Sequence, residues 1–204
     1  MNDALMRKNF HRKILGRYHS APGVLVVDEL GLIHGKGRAD IAVVNGHLVG
    51  YEIKSDEDSL DRLSEQVAMY NAVFDRNTIV VGEKHAKKIR SQVPKSWGII
   101  VGRNHAKQGV KFRRLRSAIP NKRVNPYSLA QLLWSNEAAS ILAQLGEPPK
   151  TLRQRRSALY ELLVKKLSLS ELRRRVTKSL KSRKNWRPRA PQAPSDGLSR
   201  PTAR

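Results

Sequence analysis

Asp40, Glu52 and Lys54 lie close enough in sequence to be joined by one tight turn, and together they could do phosphate chemistry. The segment reads Asp40-Ile41-Ala42-Val43-Val44-Asn45-Gly46-His47-Leu48-Val49-Gly50-Tyr51-Glu52-Ile53-Lys54. An Asn-Gly pair between apolar runs predicts a hairpin with a two-residue loop, because the favoured turn needs positive φ at both positions. Side chains alternate along a strand, so Glu52 and Lys54 share one face while Ile53 points to the other. The residues before Glu52 are apolar, so this strand is expected to be central and buried. Hard divalent cations such as Mg2+ accept a few carboxylate oxygens and keep several waters. Asp40 and Glu52 could supply those oxygens, with the Ile53 carbonyl as a third ligand. A metal-bound water could attack phosphorus, with Lys54 orienting it or offsetting charge in the transition state.

In order, Asp-x11-Glu-x-Lys behind a Gly-Arg-Ala-Asp lead-in resembles the PD-(D/E)XK nuclease superfamily, and Gln66 and Tyr70 resemble the Gln-x3-Tyr motif of its RecB-like and exonuclease-like branches. The segment also resembles a family of small uncharacterised bacterial proteins in that superfamily. Ala39 stands where the name-giving proline would be. The resemblance covers roughly residues 1 to 102. It implies a restriction-endonuclease-like core, an α/β fold of order αβββαβ with a mixed sheet flanked by helices. It also implies a Mg2+- or Mn2+-dependent deoxyribonuclease, with Asp40, Glu52, Lys54, Gln66 and Tyr70 as catalytic residues and Glu29 as a further metal ligand. Repair, recombination, phage-related processing or defence would be its setting.

Charge is the second signal. Residues 1 to 102 hold 15 Lys and Arg against 12 Asp and Glu, whereas residues 103 to 204 hold 25 against 5. The second half therefore carries net +20 of the chain's +23. Such a surplus is an electrostatic footprint for a polyanion, bound with strong salt dependence and little regard for sequence. DNA is the expected partner, with RNA as the alternative. Candidate contacts are Arg113, Arg114, Arg173, Arg174, Arg175, Lys178, Lys181, Arg183 and Trp186, the last a ring on which a base could stack. Two other readings accompany the nuclease: a nucleic-acid-binding module whose nuclease fold has lost activity, and a subunit that acts only in a homodimer or larger complex.

The elements that must position these residues follow from periodicity. An amphipathic helix is expected over 3–18, with Leu5, Phe10, Ile14 and Leu15 on its apolar face. Strands are expected at about 24–33, 38–45 and 48–54, then a helix at about 58–74 whose start is supplied by the acidic run Ser55 to Asp58. Further strands are expected at Thr78–Gly82, Trp97–Val101 and about 110–115, with a short helix between the first two. Basic helices are expected at about 127–145, 150–165 and 168–183. These divide the chain into a nuclease-like domain over 1–116, a basic helical extension over 120–187 and a disordered tail from 188.

With no cysteine in the chain, disulfides are excluded, and a reducing cytoplasm is the expected location. No run approaches the ~20 apolar residues of a membrane span. Zinc chemistry is not expected without a His or Cys cluster, and no Gly-x4-Gly-Lys-Ser/Thr phosphate loop occurs.

Overall fold

A computed structural model describes residues 1–183, so Trp186 and the tail from 188 lie outside the described residues. The chain is α/β, with a mixed six-stranded sheet in the sequential order β1 to β6, flanked by helices. The strands are β1 (Leu25–Leu32), β2 (Gly37–Val44), β3 (Leu48–Lys54), β4 (Arg76–Gly82), β5 (Gly98–His105) and β6 (Gly109–Arg116). β1, β2 and β3 are antiparallel neighbours, β3, β4 and β5 run parallel, and β6 returns antiparallel to β5. The parallel pairs need crossovers. These are α3 (Leu63–Val73) and a 3-10 turn followed by α4 (Ile89–Gln92).

The hairpin at Asn45-Gly46 forms, but with a loop of three residues. Val44 pairs with Leu48, the Asn45 N–H donates to the His47 carbonyl at 3.1 Å, and within that loop only Gly46 has positive φ. The close approach of β3 to α3 depends on Gly50. A Cβ there would meet the Phe74 ring at 2.7 Å and the Tyr70 ring at 2.8 Å.

α1 (Asp3–Phe10) continues through a π-helical turn at His11–Leu15 into α2 (Gly16–His19). The wider turn changes which residues face the sheet. Met6, Phe10 and Leu15 are fully buried against Ile41, Val43, Tyr51, Ile53, Val80 and Ile100, whereas Leu5 is 37% exposed. The other sheet face supports the larger core. There Val44, Leu48, Ile79, Val81, Ile99 and Val101 join one apolar cluster with α3 and with the helices that follow β6.

Those helices are α5 (Pro126–Ala130), α6 (Ser135–Gln144), α7 (Pro149–Leu152), α8 (Arg156–Lys166) and α9 (Leu169–Ser182). The helix expected over 127–145 is broken between α5 and α6, where Leu132 and Leu133 are buried in the connection. The helix expected from 58 begins at Leu63 instead. The acidic run closes a local turn, with the Ser55 N–H donating to Asp58 Oδ2 at 2.7 Å and the Glu57 N–H to Ser55 Oγ at 3.2 Å. Among the described residues, no helix is long and apolar enough to cross a membrane.

Candidate functional site: a neutralised acid cluster and a cationic helical groove

The residues singled out around the hairpin do converge. β3 places Glu52 and Lys54 on the α3 side, and Lys54 Nζ lies 3.2 Å from Glu52 Oε1. Gln66, one turn before Tyr70 on α3, donates its side-chain amide to the same oxygen. The Tyr70 hydroxyl accepts the Asp40 N–H at 3.0 Å and donates to the Tyr51 carbonyl at 3.1 Å, tying α3 to β2 and β3.

Arg7 was not foreseen as part of this cluster. It reaches across from α1, where its guanidinium donates to Asp40 Oδ1 at 3.0 Å and to the Asp40 carbonyl at 3.0 Å. It also lies 3.6 Å from Glu29 Oε1, while Arg38 Nε lies 3.2 Å from Glu29 Oε2. Ile53 contributes its N–H, which donates to Asp40 Oδ2 at 2.7 Å. Glu29 sits in a left-handed conformation, with φ of 55°, at the point where the β1–β2 ladder skips a pair. That conformation is unfavourable for a residue with a Cβ, and the two arginines hold it there. The only sequence signal for Arg7 was its place one residue after Met6 on a helix packing over β2.

Every acid in this cluster is thus engaged from within. Burial raises Asp40 above the usual carboxylate range, against the pull of Arg7 and the Ile53 amide. Burial first, and then Asp40, push Glu52 up to about 7, while Lys54 pulls the other way. Glu52 is 1% exposed. Its Oε2 and the Gln66 Oε1 are buried acceptors without a hydrogen-bond partner. Buried charge is tolerated where it is paired and hydrogen-bonded, and here the pairing joins α1, β1, β2, β3 and α3 into one bracket.

The donor set does not fit the divalent cation expected from the sequence. Both Asp40 oxygens and both Glu29 oxygens already face N–H donors or a guanidinium, and Glu52 Oε1 faces Lys54 and Gln66, which leaves Glu52 Oε2 as the one open carboxylate oxygen of the cluster among the described residues. Among the described residues there is no group of three or more His, Cys, Asp or Glu side chains arranged to hold a metal ion.

The basic residues of the second half separate into two sets. Arg173 pairs with Asp75 at 2.7 Å, Arg175 donates to Gln144 Oε1 on α6 at 2.6 Å, and Arg183 pairs with Glu137 at 2.6 Å. Arg183 also lies 4.3 Å over the Trp134 ring and donates to the Leu132 carbonyl. These cations dock α9 onto its neighbours. Arg174, Lys178 and Lys181 lie on the outer side of α9, three and four residues apart, opposite buried Leu172, Val176 and Leu180. Arg174 forms an exposed pair with Glu171 at 2.7 Å. Arg113 and Arg114 are exposed on β6.

Between α6 and α9 runs a groove of about 560 Å3. Its α9 wall carries Arg174, Arg175 and Lys178, and its α6 wall carries Asn136, Ser140 and Gln144. Its one acid, Glu137, is held by Arg183.

The family described as bacteriophage P4 protein cII matches residues 11–189. The chain belongs to that family. Protein cII of Enterobacteria phage P4 is 30% identical over 158 residues, which is 78% of this chain and 59% of that relative. The chain thus spans a little under three fifths of the length of the curated relative it matches. No solved structure matches it.

Membership of the P4 cII family corrects the expectations built on the hairpin. The chain is not placed in the PD-(D/E)XK superfamily, and the metal-dependent deoxyribonuclease is withdrawn with it, together with the hydrolase and metal-binding assignments. The physical counterpart is the bracket itself. Residue types that can serve phosphodiester hydrolysis stand in the right order, but Arg7, Arg38, Lys54 and Gln66 engage the carboxylates inside the fold.

Proposed function

We propose that this member of the P4 cII family binds nucleic acid without acting on it chemically, gripping the phosphate backbone of DNA along the groove between α6 and α9. The observation that carries this reading is the composition of the groove walls, where Arg174 and Lys178 on α9 stand across from Asn136 and Ser140 on α6 while Arg175 and Gln144 bond to each other between them. Lysine and arginine offset phosphate charge, and neutral donors fix register; neither reads base sequence. The +20 surplus of the second half adds a long-range attraction that speeds encounter with a polyanion. A cytoplasmic location goes with such a partner.

Fluorescence anisotropy with labelled duplex DNA, single-stranded DNA and RNA, over a range of salt, tests it. Binding to duplex DNA should weaken steeply with salt, the logarithm of the association constant falling by about 0.9 per phosphate neutralised. Replacing Arg174 and Lys178, the groove's solvent-facing cations, with Ala should flatten that dependence by a slope of about 2. Salt-independent binding, or an unchanged slope in the double variant, would overturn the assignment.

A further inference from the structure

The face of the sheet covered by α1 holds a second recess, on the side away from the α6–α9 groove. α1 and its π-helical turn cover the middle of this face, and toward the β6 edge the cover gives out. A recess of about 310 Å3 remains, lined from four directions by Arg17, Arg76, Arg114 and Arg116, with Tyr18 and Tyr51 in its walls. Among the described residues, no Asp or Glu lines it. Like charges gathered in a partly enclosed space repel one another, so a cluster of this kind costs stability unless an anion answers it.

The arginines are held in place. Arg116 donates to the Trp97 carbonyl at 2.6 Å and to the Pro94 carbonyl at 2.8 Å. Arg76 donates to the Ala118 carbonyl at 2.8 Å. Arg17 lies 4.8 Å over the Tyr18 ring and donates to its hydroxyl at 3.0 Å. Among the described residues, none of the four forms an ion pair with a carboxylate. Guanidinium groups fixed by backbone carbonyls keep spare N–H donors in a planar fork suited to phosphate oxygens. The volume is too small for a duplex and suits one nucleotide.

We propose that this recess binds a single nucleotide through its 5′-phosphate, with Arg76, Arg114 and Arg116 on the phosphate and Tyr18 against the base or sugar. The assignment is independent of the α6–α9 groove, which lies on the other sheet face. Two sources share this chemistry, a free mononucleotide and the phosphorylated 5′ end of a strand.

Calorimetric titration of the full chain with thymidine monophosphate, thymidine and inorganic phosphate tests it, alongside Arg114→Ala and Tyr18→Ala. Arg114 is exposed and its loss leaves no backbone carbonyl without a donor, so the fold should survive, as checked by an unchanged melting temperature. The monophosphate should bind, thymidine should not, and inorganic phosphate should bind at least about tenfold more weakly than the monophosphate. Arg114→Ala should weaken the monophosphate about tenfold, the effect of losing one charge-assisted contact of about 1.4 kcal/mol. A 5′-phosphorylated oligonucleotide preferred over its 5′-hydroxyl form assigns the site to strand ends; equal binding of the two assigns it to the free nucleotide. Absence of monophosphate binding would overturn the proposal, as would phosphate binding as tightly or both variants binding like the parent.

Discussion

The acid cluster around β3 and the cationic helices after β6 both gather charged side chains, yet they dispose of them in opposite ways. Around β3 each carboxylate meets a guanidinium, an ammonium or an amide within the fold. On α9, Arg174, Lys178 and Lys181 stand on the solvent side, Arg174 in an exposed pair with Glu171, after Arg173, Arg175 and Arg183 have been used for docking. The lesson is that residue type and spacing mark where charge is, and partners mark what it is for. A closed set of partners builds structure; an open set awaits a ligand.

Arg7 offers the sharpest way to break this contrast. Replacing it with Met leaves Asp40 buried opposite no cation, and removing one partner of such a pair should cost about 3 kcal/mol of stability. Urea denaturation should show that loss, and a variant as stable as the parent would mean the bracket holds nothing together.

Glu52 sharpens it further through pH. Its ionised form is disfavoured in the fold and not in the unfolded chain, so its contribution makes stability fall as pH rises from about 4.5 to about 7 and level off above. A shift of that size bounds the effect at about 3 kcal/mol. Glu52→Gln should therefore melt higher than the parent at pH 8, by the equivalent of about 2 kcal/mol, with the difference closing toward pH 5. Lower stability at both values would show that the Lys54 pair outweighs the cost of burying the charge.

A smaller effect separates docking cations from free ones. Trp134 is exposed beneath the Arg183 guanidinium, and Trp134→Ala should lower stability by about 0.5 to 1 kcal/mol. It should leave affinity for DNA unchanged, as anisotropy can check.

Much of this arrangement was legible in the sequence. The alternation around Asn45-Gly46 located β2 and β3, whereas Gln66 and Tyr70 were singled out by resemblance alone and the contacts they make with β3 come from the fold. The stripe Leu172, Val176 and Leu180 gave the buried side of α9. What escaped has physical causes. The π-helical turn at His11–Leu15 put Leu15, five residues after Phe10, fully inside and left Ile14 only partly buried, and a periodicity of 3.6 cannot anticipate an inserted residue. Arg7 looked like a solvated cation because a pattern of polarity does not distinguish water from a buried carboxylate beneath. That omission mattered most, since without Arg7 the acids read as open to a metal. The same blindness applied on α9, where Arg173 and Arg174 are adjacent in sequence and only one docks against Asp75.

The most direct test of the central claim compares both regions in one titration. Affinity for a labelled DNA duplex at about 0.1 M salt should be measured for the parent, for Arg174→Glu/Lys178→Glu/Lys181→Glu and for Lys54→Ala. Loss of three phosphate contacts should weaken the triple variant by about 100-fold or more, while Lys54→Ala binds like the parent. Full affinity in the triple variant, or a comparable loss in Lys54→Ala, would contradict the account.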